Sequence, residues 1–158
     1  MSDITYGEKW TVYWSDYMSD AYIYGSEVIF HSNDDVELKN NLMPAGSVIK
    51  SWYSKTNYQM QRIEPTLPII DGEGEYELSV NMETDIDEGV LVRMIFFDRY
   101  QEEISQMIFR EETSIFKCPM ATYSYCLQLI AGGSRYLRFY NAVIREVIHE
   151  SESEYKEN

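Results

Sequence analysis

The stretch that decides the fold is EYELSVNM at residues 75–82, where apolar and polar side chains alternate. Tyr76, Leu78, Val80 and Met82 fall on one side of an extended chain, and polar residues fall on the other. Successive side chains of a strand point to opposite faces of a sheet. The stretch therefore predicts a strand with one face on a core and the other in water.

The next stretch along the chain, VLVRMIFF at residues 90–97, is apolar on both faces apart from Arg93. This composition predicts a central strand that is covered on both sides. A turn is predicted from Asp98 to Glu102, followed by a second strand at residues 103–109. The two strands are expected to pair as a hairpin.

Short strand-like runs continue outward from this hairpin in both directions, separated by Gly, Asn, Asp and Pro turns. They lie at residues 10–14, 22–30, 36–42, 47–53, 115–117, 123–130 and 136–147. Regularly spaced short strands of this kind predict an all-β fold, a jelly-roll-type β-sandwich resembling carbohydrate-binding modules. We expect a flexible N-terminus at 1–9, a single sandwich domain at 10–149 and a disordered acidic tail at 150–158.

Composition and charge exclude several classes of function. The chain has 158 residues and a net charge of -14, so phosphates of nucleic acid and anionic membrane surfaces would repel it. No apolar run reaches the roughly 20 residues that a membrane helix needs, and no charged-then-apolar leader opens the sequence. We therefore expect a cytoplasmic protein without a membrane span, in which Cys118 and Cys126 are reduced thiols.

The sequence lacks the usual signatures of catalysis and metal binding. No Gly-x-Ser-x-Gly motif occurs, and only His31 and His149 could serve as a base. The two cysteines have no second pair with which to form a zinc site, and Cys126 is expected to be a small core residue. These observations predict a protein that is not an enzyme and has no cofactor.

Two acidic residues in the predicted loop at 84–89 leave one alternative open. Asp85 and Asp87 could hold a structural calcium ion, because calcium takes oxygen ligands from such loops. The other interpretation is a solvated acidic turn.

Residues 42–70 combine aromatic side chains with amides and a guanidinium. Sugars stack their apolar ring faces on flat aromatic groups, and their hydroxyls hydrogen-bond to amides and charged groups in the ring plane. The alternative is that these aromatic residues plug one end of the β core. The candidate glycan-binding residues are Trp52, Tyr53, Asn57, Tyr58, Gln59, Gln61 and Arg62.

Several sequence blocks resemble one family across residues from about 10 to 147. The blocks are Tyr22-x-Tyr24-Gly25-Ser26, residues 41–46 (NLMPAG), residues 52–59 (WYSKTNYQ), Leu67-Pro68 and residues 97–104 (FDRYQEEI, matched as Phe97-Asp98-Arg99-Tyr100-x-x-Glu103-Ile104). In this order they resemble the accessory Sec system proteins of Gram-positive bacteria, and among them the third accessory secretory protein. Gln101 departs from the pattern, because glycine or a small residue is expected in that turn.

The resemblance implies a cytoplasmic protein that works with the first and second accessory secretory proteins. Together they would deliver a serine-rich repeat glycoprotein adhesin to a translocase with its own SecA-type motor. The translocase would bring this chain to the inner face of the membrane. A glycan of the N-acetylglucosamine type is a further implied partner. The alternatives are a stand-alone carbohydrate-binding module and, as the third choice, a glycan-active hydrolase.

Overall fold

The computed structural model describes residues 4–14, 26–41, 43–54, 67–87 and 89–149. The strands in these residues are Ile4–Val12 (β1), Glu27–Ser32 (β2), Asp35–Lys39 (β3), Val48–Tyr53 (β4), Glu75–Thr84 (β5), Val90–Phe97 (β6), Glu103–Phe109 (β7), Thr113–Lys117 (β8), Ser124–Ala131 (β9) and Tyr136–His149 (β10). Every strand pair is antiparallel. A membrane-crossing helix, long and apolar enough to span a bilayer, does not occur in this part of the chain.

The strands form two sheets packed face to face. The six-stranded sheet has the order β2-β3-β10-β5-β8, with β1 also paired to β10, and the four-stranded sheet has the order β4-β9-β6-β7. Strands β3 to β10 alternate between the two sheets, as in a jelly roll, except at β6 and β7, which follow one another in the four-stranded sheet as a hairpin. The predicted all-β jelly-roll sandwich is therefore confirmed.

The core forms because alternate residues of each strand point between the sheets. Tyr76, Leu78 and Val80 are buried, as the period-two pattern of β5 predicts. β6 pairs with β9 on one side and β7 on the other, which confirms that it is a central strand. Aromatic rings connect the sheets, for example Phe96 of β6 and Phe116 of β8, whose centroids lie 6.2 Å apart.

The first strand begins earlier than the sequence predicts. β1 pairs with β10 from Ile4↔His149 to Val12↔Ala142. The expected flexible N-terminus at 1–9 is therefore wrong for residues 4–9, because backbone hydrogen bonds to β10 order a segment whose side chains are mostly polar. The tail at 150–158 lies outside the described residues.

The β6–β7 turn explains the departure at Gln101. The side chain of Asp98 accepts backbone N–H groups from Tyr100 at 2.8 Å and Glu102 at 3.1 Å. Gln101 consequently adopts a φ of 65°, a conformation in which glycine carries no Cβ penalty. The predicted turn and hairpin are confirmed, with glutamine in a position that favours glycine.

Candidate functional site

Trp52 belongs to the core. Its side chain is 1% exposed, and its Nε1 donates a hydrogen bond to the Tyr13 carbonyl at 2.8 Å. One face of the indole stacks on Phe139 at 5.1 Å between centroids. The prediction that Trp52 is a sugar platform is therefore wrong, since its ring faces the other sheet. For this residue the alternative of an aromatic plug in the β core is correct.

Lys50 lies beside Trp52 and is a feature that sequence reasoning missed. Its side chain is fully buried, and Nζ lies 5.2 Å from the Trp14 ring centroid and 5.9 Å from that of Trp52. A desolvated ammonium over indole rings is a favourable cation–π arrangement. The signal was present in the sequence, because Lys50 lies within an otherwise strand-forming run that ends in Trp52 and Tyr53.

Tyr53 lies on the opposite side of β4 from Trp52, half-buried on the outer face of the four-stranded sheet. It is the one predicted glycan-binding residue that the structure places at an accessible surface among those it describes. The remaining candidates lie outside the described residues: Asn57, Tyr58, Gln59, Gln61 and Arg62.

The outer face of the four-stranded sheet, called the outer face below, can be mapped from the strand register. It carries three cross-strand rows that run from β4 through β9 and β6, two of them reaching β7. The rows are Tyr53–Cys126–Ile95–Gln106, Ser51–Gln128–Arg93–Ile108 and Val48–Ile130–Leu91. The middle row places a polar group on three adjacent strands, with apolar side chains on both sides of it.

The polar row is hydrogen-bonded from end to end. Arg93 donates from Nε at 2.9 Å and from Nη2 at 2.6 Å to the same oxygen of Gln128. Gln128 in turn donates to the Ser51 hydroxyl at 3.3 Å. Arg93 is half-buried, and no carboxylate of the described residues forms an ion pair with it. The face therefore carries a cation whose charge the described residues leave unneutralised.

Apolar residues surround this row. Ile95, Cys126 and Ile130 are buried although they lie on the outward side of the sheet, whereas Ile104 and Ile108 of β7 are 38% and 50% exposed. Cys126 is buried as predicted, but outside the core between the sheets. Burial raises the pKa of its thiol to about 11, against a smaller lowering by a backbone hydrogen bond from Ile95. The thiol is therefore protonated near neutral pH and a poor nucleophile.

The outer surface of the six-stranded sheet has a different character, because its polar groups are paired with one another. Arg138 binds both carboxylate oxygens of Asp35, at 2.7 and 2.6 Å. Glu37 accepts a hydrogen bond from the Tyr136 hydroxyl at 2.7 Å and is joined to His31 at 2.6 Å. These hydrogen bonds hold the pKa of Asp35 and of Glu37 below their ordinary values. Such a surface is suited to water rather than to a partner.

The candidate residues for catalysis and metal binding that the structure describes make structural contacts. His31 belongs to the paired surface just described, and burial raises the pKa of Cys118 in the core. The Asp85 carboxylate accepts the backbone N–H of Arg135 at 3.2 Å, which ties the β5–β6 loop to the turn before β10. Within the part of the chain that the structure describes, no group of His, Cys, Asp and Glu is arranged to hold a metal ion.

These observations define a class: a jelly-roll domain with one solvent-adapted sheet face and one apolar face crossed by a polar row. The model of the family described as "Accessory Sec secretory system ASP3" matches residues 21–146. The chain belongs to this family, which confirms the resemblance inferred from its sequence blocks.

Individual relatives agree with this assignment. The accessory Sec system protein Asp3 of Streptococcus gordonii is 38% identical over 131 residues, which cover 83% of this chain and 82% of the relative. A chain of the crystal structure of accessory secretory proteins 1, 2 and 3 in Streptococcus pneumoniae is 32% identical with a TM-score of 0.81, covering 86% of this chain and 94% of that one. A chain of the Glycosylation Associate Protein (Gap123) complex from Streptococcus agalactiae is 31% identical with a TM-score of 0.79, covering 92% of this chain and 45% of that one.

Proposed function

We propose that this chain is a non-catalytic subunit that assembles with the first and second accessory secretory proteins in the cytoplasm. The assembly would deliver a glycosylated serine-rich repeat adhesin to a translocase driven by a SecA-type motor. The observation that carries the proposal is the contrast between the two sheet surfaces. The centre of a protein interface is apolar and depleted in charged residues. The three rows of the outer face have one charged side chain, Arg93, with apolar residues on both sides of its row.

The solved relatives support the same proposal. The Streptococcus pneumoniae structure contains accessory secretory proteins 1, 2 and 3 together, and the Streptococcus agalactiae structure is described as a complex. This chain has the same fold at 31–32% identity over most of its length. A shared fold at this identity supports a shared place in the assembly.

The absence of a catalytic role is part of the proposal. A nucleophile needs a base within hydrogen-bond reach. His31 bonds Glu37 on the six-stranded sheet, whereas the thiol of Cys126 is buried on the other sheet. Because His31 and Cys126 lie on different sheets, they do not form a pair of base and nucleophile.

A second candidate function, glycan binding, rests on Tyr53. Its half-buried phenol borders a row of hydrogen-bonding side chains on the outer face, Ser51, Gln128 and Arg93. An aromatic ring next to amide, hydroxyl and guanidinium groups provides both kinds of contact that a sugar uses. The set would be extended by the other predicted residues: Asn57, Tyr58, Gln59, Gln61 and Arg62.

Co-purification tests assembly and glycan binding separately. The chain would be co-expressed with the first and second accessory secretory proteins of the same bacterium. The second protein would carry an affinity tag, and the lysate would be passed over a column that captures this tag. We expect the three proteins to elute together in a fixed ratio. In a separate binding assay, a preference for the glycosylated adhesin over the unglycosylated one would support the glycan candidate. If the chain instead stays in the unbound fraction while the tagged protein is captured, the proposed assembly is overturned.

A further inference from the structure

We propose that the outer face docks a protein partner whose surface presents apolar side chains around one carboxylate, and that this carboxylate pairs with Arg93. The inference deepens the proposed assembly and rests on it. It specifies which face of the sandwich is used and the chemistry that the partner must bring.

The Arg93 guanidinium is oriented within the chain but keeps hydrogen-bond donors for a partner. Arginine has five N–H donors in a planar fork, and Arg93 directs two of its nitrogens at one neutral oxygen of Gln128. A neutral amide orients the guanidinium without neutralising its charge. The fork is therefore held in place with donor capacity remaining, which suits bidentate binding of a carboxylate.

Arg138, in contrast to Arg93, is neutralised by a carboxylate of the chain itself. That guanidinium, on the six-stranded sheet, is satisfied by both oxygens of Asp35. The chain has 27 acidic residues against 13 basic ones, so carboxylates are not scarce. Glu103, at the β7 end of the outer face, accepts a hydrogen bond from Gln106 at 2.9 Å instead of pairing with Arg93. Among the described residues, an acid for Arg93 is missing, and a partner can supply one.

Apolar side chains flank Arg93 on the outer face. Ile108 lies directly across β6–β7 from Arg93, and Ile95 is the next outward residue on β6. Apolar groups around a charge pair exclude water when a partner docks, which strengthens the pair and makes the central residue a hot spot. A neutral sugar can accept hydrogen bonds from the guanidinium but does not neutralise its charge. A protein surface with a carboxylate fits both the charge and the apolar ring.

The test compares variants of the outer face with a matched control on the other sheet. Ile108 is 50% exposed on edge strand β7, and Ile115 is 49% exposed on edge strand β8, on the outward side of the six-stranded sheet. The variants are Arg93→Met, Arg93→Lys, Ile108→Asp and Ile115→Asp. Each would be checked for folding by circular dichroism and titrated against the purified pair of first and second accessory secretory proteins.

We expect Arg93→Met to weaken binding about 30-fold or more, as for loss of one partner of a desolvated ion pair. Arg93→Lys should retain part of the affinity because it keeps the charge. Ile108→Asp should weaken binding to a similar extent, and Ile115→Asp should bind like the unsubstituted chain. If Arg93→Met does not fold, the comparison of Ile108→Asp with Ile115→Asp decides the question alone.

Four results would overturn the inference while leaving the assembly in place. The first is that both Arg93→Met and Ile108→Asp keep full affinity for the pair of partner proteins. The second is that Ile108→Asp and Ile115→Asp lose affinity equally, which would place the contact along the β7–β8 edge. The third is a change only in self-association of the chain, measured by light scattering. The fourth is loss of glycan binding with the partners retained. Failure of the unsubstituted chain to bind the pair would instead remove the proposed assembly.

Discussion

Replacing Trp52 by alanine separates a core role from a binding role. The side chain is 1% exposed, its ring stacks on Phe139 at 5.1 Å, and it meets Trp14 edge-on at 6.2 Å. Substituting a buried tryptophan by alanine costs about 3–5 kcal/mol. The Tyr13 carbonyl also loses the donor that Trp52 supplies at 2.8 Å, which places the expected loss toward the upper end of that range.

The measurement is urea unfolding followed by far-ultraviolet circular dichroism. We expect the free energy of unfolding of Trp52→Ala to fall by about 4–5 kcal/mol. Tyr53→Ala, at the neighbouring half-buried position on the opposite side of β4, is the control and should lose about 1–2 kcal/mol. A Trp52→Ala variant that unfolds at the same urea concentration as the unsubstituted chain would refute the core assignment and restore an exposed role for this ring.

Three further predictions concern the N-terminal strand, one turn and one surface ion pair. Deleting residues 1–12 should lower the melting temperature sharply, because β1 pairs with β10 over most of its length; an unchanged melting curve would show that β1 is dispensable. Gln101→Gly should raise the free energy of unfolding by about 0.5–1 kcal/mol by removing a side chain from a left-handed conformation, and a lower value would contradict the strain at φ 65°. The Arg138 hydrogen bonds lower the pKa of Asp35 from its ordinary 3.8. The ion pair therefore stabilises the fold fully above pH 3.8, and this stabilisation is lost as the pH falls through the lowered pKa of Asp35. Asp35→Asn should make the free energy of unfolding less dependent on pH in this range. Identical pH dependence in the variant and the unsubstituted chain would count against a stabilising ion pair.

The sequence predicts the central part of the fold well, because local pattern and tertiary environment agree there. β6 and β7 have the predicted bounds, and β5 begins where its alternation begins. A period of two requires one buried face, and residues 75–82 leave little choice about which face that is. Residues 90–97 are apolar on both faces, which fits a strand that is covered on both sides. The hairpin is set by Asp98, whose side chain accepts two backbone N–H groups of the turn.

Prediction from sequence fails where partners distant in the chain decide the structure. β1 is ordered by pairing with β10, more than a hundred residues away, so residues 4–9 carry no local sign of it. Trp52 and Tyr53 are neighbours of similar chemistry, and only the register of β4 against β9 sends one inward and the other outward. Lys50 shows the same limit, since a lysine in a strand is expected at the surface until two indoles are found around it.

The candidate site depends on register even more strongly. Ser51, Arg93 and Gln128 are far apart in sequence, and they form a row because three strands pair in one alignment. Arg93 was visible in the sequence as the one charge in an apolar strand. Its hydrogen-bond partners and its lack of a carboxylate among the described residues required the structure.

Hydroxyl-radical footprinting of the chain, alone and in complex with the first and second accessory secretory proteins, measures the accessibility of individual side chains and therefore identifies the sheet surface that the partners cover. The outer face predicts that oxidation of Ile104 and Ile108 falls several-fold on assembly, whereas Tyr6 and Ile115 on the six-stranded sheet keep their reactivity. These four side chains are between 38% and 50% exposed in the free chain, so they start from comparable accessibility. Protection of Tyr6 and Ile115, with Ile104 and Ile108 unchanged, would contradict the account.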